Sequence, residues 1–181
     1  AISTHGGAKP NIGPDYAAAE FYVRAADTEY CDELFLKLRH CAEGAARATG
    51  AELTYSVFDV PYKAMRLNQP LDLAFARNLE SVGWTLDRPK GSGFPLGSTD
   101  MADVSHVVPS IHAYLAICSD DVAGHSKSFA EASRSERGAA AMLAGAKAMA
   151  LTAIDVLSRP DLVEEAWAAF GRQATSEDQS G

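Results

Sequence analysis

The sequence predicts an α/β fold divided into two pieces, and three observations carry that prediction. Residues 17–26 and 51–60 alternate apolar and polar side chains at the period of a strand, with a helical pattern between them. A short apolar run, IHAYLAIC at 111–118, has the length of one buried strand. From Ala139 to Ile154 the chain is apolar on nearly every side of a helix, interrupted only by the charge of Lys147.

The elements follow in order. In AAAEFYVRAA, Ala19, Phe21 and Val23 point one way and Glu20, Tyr22 and Arg24 the other, which makes a half-buried strand with one polar face. A helix comes next. Asp27 or Thr28 can cap it, and Glu29, Asp32 and Glu33 suit its positive end. Leu34, Leu38, Cys41, Ala45 and Ala48 form its stripe, and Gly50 stops it. AELTYSVFDV at 51–60 completes a strand–helix–strand unit. After a connector, a second helix spans about Pro70 to Val82, with Asn68 as its cap, Leu71, Phe75, Leu79 and Val82 on one face, and Gly83 as its stop. PKGSGFPLGSTDMADVSHVVPS is glycine-rich and reads as loop for much of its length, and SDDVAGHSKSFAEAS reads as loop again. Ser133 with Glu136 forms a capping box that opens the apolar helix, which is expected to be buried all round. Pro160 starts a last helix to about Phe170, and RQATSEDQSG is a polar, disordered tail.

Neither piece closes by itself. The first has too few strands for a stable sheet, and the apolar helix of the second needs more partners than the chain supplies. The chain also lacks a starting Met, so a fragment of a larger protein is expected. Its opening, AISTHGG, lacks the basic-then-apolar pattern of a signal peptide, which says little about the natural N-terminus. The 47% apolar and 22% charged composition is that of a soluble globular protein. A net charge of −8 argues against broad nucleic-acid binding, and the Ala-rich helix reads as buried rather than membrane-spanning. Cys31 and Cys41 would lie about 15 Å apart on one helix, too far for a bridge. With Cys118 they read as free thiols of a reducing compartment, the cytoplasm.

Motifs alone exclude more than they assign. GGAKPNIGP and GSGFPLG do not have the spacing of a phosphate-binding loop, and there is neither G-x-S-x-G nor H-E-x-x-H. On pattern alone His106, His112 and His125 read as hydrogen-bonded packing residues before ligands, and Arg24 as solvated or ion-paired.

Three longer stretches add a resemblance. GGAKPNIGPDYAAAEFYVRA, GSTDMADVSHVVPSIHAYLAI, and GHSKSFAEAS followed by AAAMLAGAKAMALTAIDVL resemble successive motifs of the aminoacylase/carboxypeptidase-G family of dinuclear zinc peptidases. The nearest branch is that of the aminobenzoyl-glutamate hydrolases and basic-dipeptidase amidohydrolases, and the resemblance covers about residues 1–170. It implies three parts. Residues 1–62 would be the second half of a ferredoxin-like lid that dimerises, 63–172 the C-terminal part of an α/β catalytic domain, and 173–181 a disordered tail. It implies zinc, two ions in a complete protein, with His125 as the last ligand. It implies Asn11 and Arg24 as a clamp on the substrate carboxylate and scissile carbonyl, for which an amide donor and a guanidinium are suited. Ser98 and Thr99 fall in a substrate-facing loop of the family, and His112 falls near its site.

The resemblance also implies an activity: zinc-dependent hydrolysis of an amide bond next to a free carboxylate, in an N-acyl amino acid, aminobenzoyl-glutamate or a dipeptide. The general-base Glu and the other zinc ligands belong to the family's N-terminal half, so no residue here is assigned as catalytic. His5 does not match the lid histidine that reaches across the family's dimer. One His cannot hold a catalytic zinc, so the chain alone is expected to be inactive. A non-catalytic dimerisation or regulatory module derived from the family is the alternative, and an unrelated α/β binding module a third reading.

Overall fold

The computed structural model describes residues 1–86 and 98–177, with side chains as far as residue 173. Residues 1–64 and Ser98 group as one unit, and the other described residues from 65 on group as a second.

In the first unit, β1 (Ile2–His5) pairs antiparallel with β2 (Ala18–Glu20), Ile2 opposite Glu20 and Ser3 opposite Ala19, with a register irregularity before His5. The strand predicted over 17–26 therefore forms ladder bonds only at its start, and its partner β1 has too few residues for an alternation signal. Helix α1 (Thr28–Thr49) begins and ends where the sequence predicts. The Asp27 carboxylate accepts the Tyr30 N–H at 2.7 Å, and Gly50 closes the helix at φ 75°, a left-handed conformation that favours glycine. The Thr28 hydroxyl accepts the Ala64 N–H at 3.0 Å, tying Ala64 to the start of α1. Only the first half of the predicted stripe turns inward. Leu34 and Leu38 are half-buried, whereas Cys41, Ala45 and Ala48 are exposed.

Residues 51–60 form no strand, which corrects the prediction there. Alternation assigns faces, but a strand is made by ladder hydrogen bonds to a neighbour, and among the described residues the ladder of β1 and β2 does not include this segment. The segment is held by side chains. The Tyr22 and Phe58 rings meet edge to face at 5.5 Å, and the Arg39 guanidinium lies 5.7 Å from the Tyr55 ring centre.

The second unit is helical: α2 (Gln69–Ser81), α3 (Met101–Ser105), α4 (Lys127–Ser133), α5 (Glu136–Ser158) and α6 (Pro160–Glu177). Asn68 caps α2 as predicted, accepting the Leu71 N–H at 3.4 Å while its amide donates to the Ala166 carbonyl at 2.9 Å. Phe75 and Leu79 of α2 meet Ala144 and Ala148 of α5, and Val82, Trp84, Leu86, Ile111 and Leu115 pack around them. The small residues of α5 let α2 approach closely at this contact.

Four expectations are corrected in this unit. IHAYLAIC is not a strand; residues 111–116 are irregular, and Ile111 and Leu115 reach the core without ladder bonds. The segment read as loop before the long helix contains α4, capped by Ser126, whose hydroxyl accepts the Phe129 N–H at 3.1 Å. Ser133 ends α4, and the cap of α5 is Ser135, accepting the Gly138 N–H at 3.1 Å. Helix α5 buries one face only, Gly138, Ala141, Ala144, Ala148 and Thr152, and exposes Met142, Met149, Ile154 and Leu157. Apolar composition states what a helix can bury, not how much partner it meets. By length and composition alone α5 is also able to cross a membrane.

Helix α6 continues past Phe170 to Glu177, so residues 173–177 are helical rather than tail, and the rest of the predicted tail lies outside the described residues. Much of the predicted glycine-rich loop, residues 89–97, also lies outside them. What is described is mostly helical with one small two-stranded sheet, a mixed α/β chain.

Candidate substrate-binding and metal-binding residues

The six residues singled out by the sequence are divided between the units. Asn11, Arg24 and Ser98 belong to the first; Thr99, His112 and His125 belong to the second.

Beyond β2 the chain stays irregular through residue 25, and side chains two apart project to the same side of extended backbone. That spacing puts Tyr22 beside Arg24, whose guanidinium carbon lies 5.7 Å from the Tyr22 ring centre, within cation–π range. The Tyr22 hydroxyl donates to Asp59 Oδ2 at 3.1 Å. Asp59 Oδ1 accepts the Val60 N–H at 2.9 Å, so both carboxylate oxygens are used. The hydrogen bond to Asp59 holds the Tyr22 phenol above its ordinary value of 10.0, with slight desolvation and the Asp59 charge adding to it and the Arg24 charge opposing it. Arg24 is exposed. Asn11 is exposed too, in a turn closed by the Ile12 N–H to the Lys9 carbonyl at 3.3 Å.

Tyr22, which contacts both Arg24 and Asp59, and Asp59 itself were not singled out from the sequence. A signal for Tyr22 existed, since alternation sets it on the polar face with Arg24. No local signal ties in Asp59, which is 37 residues from Tyr22.

In the second unit, His125 has φ 59° and is the one non-glycine residue with positive φ among the described residues. A left-handed backbone costs a residue with a side chain roughly 1–2 kcal/mol. His125 is exposed and directly precedes Ser126, the cap of α4, so the turn presents its imidazole to solvent. Glycine would satisfy this backbone without strain, and histidine is among the other residues that adopt it more often.

The other candidates are placed less suggestively. The His112 ring stacks on Tyr114 at 4.9 Å with 22° between the planes, and both are exposed. Thr99 lies two residues before α3: its carbonyl accepts the Ala102 N–H at 3.1 Å and its hydroxyl the Met101 N–H at 3.3 Å. Ser98 is exposed.

Among the described residues, no group of three or more His, Cys, Asp or Glu is placed to hold a metal ion. A catalytic zinc takes about three protein ligands, so one exposed imidazole does not make its site. Two surface clefts, one beside Arg47 and Tyr55 and one between Leu71 and Val156, include none of the six candidates.

No family model matches the chain. Over 164 residues, 90% of its length, the chain is 35% identical to an Xaa-Arg dipeptidase of Mus musculus. Over 164 residues it is 34% identical to an Xaa-Arg dipeptidase of Homo sapiens. The chain spans 38% and 37% of the lengths of these two relatives.

Proposed function

We propose, from that kinship with dipeptidases, that the chain supplies a substrate grip and one metal donor to a metal-dependent peptidase. The reaction is hydrolysis of an amide bond next to a free carboxylate. A dipeptide ending in arginine is the first substrate to try, with N-acyl amino acids and aminobenzoyl-glutamate as the wider class. The observation that carries this reading is the similarity to two dipeptidases across 90% of the chain.

Arg24 and Asn11 are the proposed grip. A guanidinium offers two parallel N–H donors to a carboxylate, and Arg24 is exposed on a fixed ring. The Asn11 amide donates to the carbonyl oxygen as charge builds on it. Ser98, Thr99 and His112 line the substrate more loosely in this reading. His125 is the proposed metal ligand, supported by its exposed imidazole and its left-handed backbone. The metal is zinc, in two ions, whose other ligands and general-base carboxylate are not assigned among these residues. The chain by itself is inactive in this proposal. The working protein is a cytoplasmic homodimer joined through the unit that holds Arg24, one half of a lid of the aminoacylase/carboxypeptidase-G kind.

The test is hydrolysis of an alanyl-arginine dipeptide by the intact gene product, with and without a chelator. Cleavage that stops on chelation and returns with zinc supports the reading; cleavage indifferent to chelation removes the metal from it. A second reading is a non-catalytic dimerisation or regulatory module. It predicts a dimer without hydrolysis.

A further inference from the structure

We propose that Tyr22 and Asp59 are positioning residues that aim Arg24 at the substrate carboxylate. This rests on the reading of Arg24 as the carboxylate grip. The geometry is a chain of three contacts. Asp59 holds the Tyr22 hydroxyl at 3.1 Å, Phe58 braces the same ring edge-on at 5.5 Å, and the ring lies 5.7 Å from the Arg24 guanidinium carbon.

A packing role does not account for this arrangement. Tyr22 is 64% exposed and Phe58 56%, so neither ring contributes much to a core. A hydrogen bond between exposed partners adds little to folding, because water replaces it at nearly equal strength. What the Asp59 contact does is fix the direction of the ring. Asp59 also accepts the Val60 N–H at 2.9 Å, which holds the carboxylate in turn. A flexible arginine stem laid on a fixed aromatic face loses less freedom when its fork meets a carboxylate.

The experiment compares Arg24→Ala, Tyr22→Leu, Tyr22→Phe and Asp59→Asn with the unaltered protein. All are made in the intact gene product and assayed on alanyl-arginine and on its carboxamide, which lacks the carboxylate. Tyr22→Leu is expected to raise KM for the dipeptide about two- to fivefold, the range for an exposed cation–π contact, with kcat unchanged and the carboxamide unaffected. Asp59→Asn and Tyr22→Phe are expected to give smaller rises in the same parameter, because the ring remains but its anchor weakens. If Arg24→Ala abolishes the preference for the dipeptide over its carboxamide while Tyr22→Leu and Asp59→Asn keep it in full, the positioning role is overturned and the grip stands. If Arg24→Ala leaves the preference intact, the grip itself fails and the positioning role with it. Should Tyr22→Leu not fold, Tyr22→Phe and Asp59→Asn decide by the same ratio.

Discussion

Asn78 on α2 donates to Asp155 on α5 at 2.7 Å, and the same amide nitrogen donates to Thr152 at 3.1 Å. The two bonds set the axial register between the helices at a point where apolar contacts alone would allow sliding. Thr152 is buried and also donates to the Ala148 carbonyl at 2.8 Å, so its oxygen serves both helices.

Removing that amide should therefore cost more than a surface change. Asn78→Ala is expected to destabilise the chain by about 1.5–3 kcal/mol, the range for losing a hydrogen bond to a charged group. The midpoint of denaturant unfolding should fall with an unchanged slope.

The one-sided burial of α5 gives a paired prediction. Leu79, which faces α5, is 3% exposed, whereas Leu157 at the far end of α5 is 87% exposed. Leu79→Ala should cost about 2–5 kcal/mol, and Leu157→Ala about half a kcal/mol or less. Equal losses in thermal unfolding would mean that the outer face of α5 is covered in solution.

The junction between α4 and α5 is tight at Gly138. A Cβ there would lie 2.5 Å from the Ala132 carbonyl oxygen and 2.6 Å from that of Ser133, both backbone atoms that cannot swing aside. Gly138→Ala should destabilise by about 1–3 kcal/mol despite alanine's better helix propensity. A stabilised variant in the same unfolding assay would contradict this packing.

The Tyr22–Asp59 bond has a pH signature. The hydrogen bond to Asp59 raises the Tyr22 phenol above 10.0. A raised folded-state value stabilises the fold below the ordinary phenol value, and that contribution is lost as pH climbs through the folded value. Ring-carbon NMR of Tyr22 should show late titration in the unaltered chain and earlier titration in Asp59→Asn. Identical curves would mean the bond does not persist in solution.

Local signals were read well from the sequence and missing neighbours were not. Asp27, Gly50 and Asn68 act on backbone within a few residues of themselves, so the bounds of α1 and α2 could be read directly. The strands expected at 51–60 and 111–118 depend on an edge to pair with, which alternation cannot report. The apolar breadth of α5 was legible, but its one-sided burial was not, because that depends on what packs against it. Ser135 displaced Ser133 as the cap because α4, a seven-residue helix, occupies the preceding loop. For the candidate site, the sequence could single out His125 and Arg24 by type and order. Only the folded chain shows the left-handed backbone of one and the aromatic rest of the other.

The most direct test of the account is the zinc content of the intact gene product beside that of His125→Asn. Asparagine tolerates the left-handed turn, so the substitution removes the imidazole while keeping the backbone. The account predicts bound zinc in the unaltered protein and a clear loss of it in the variant, with the fold retained by circular dichroism. Full zinc occupancy in His125→Asn, or none in the unaltered protein, would contradict it.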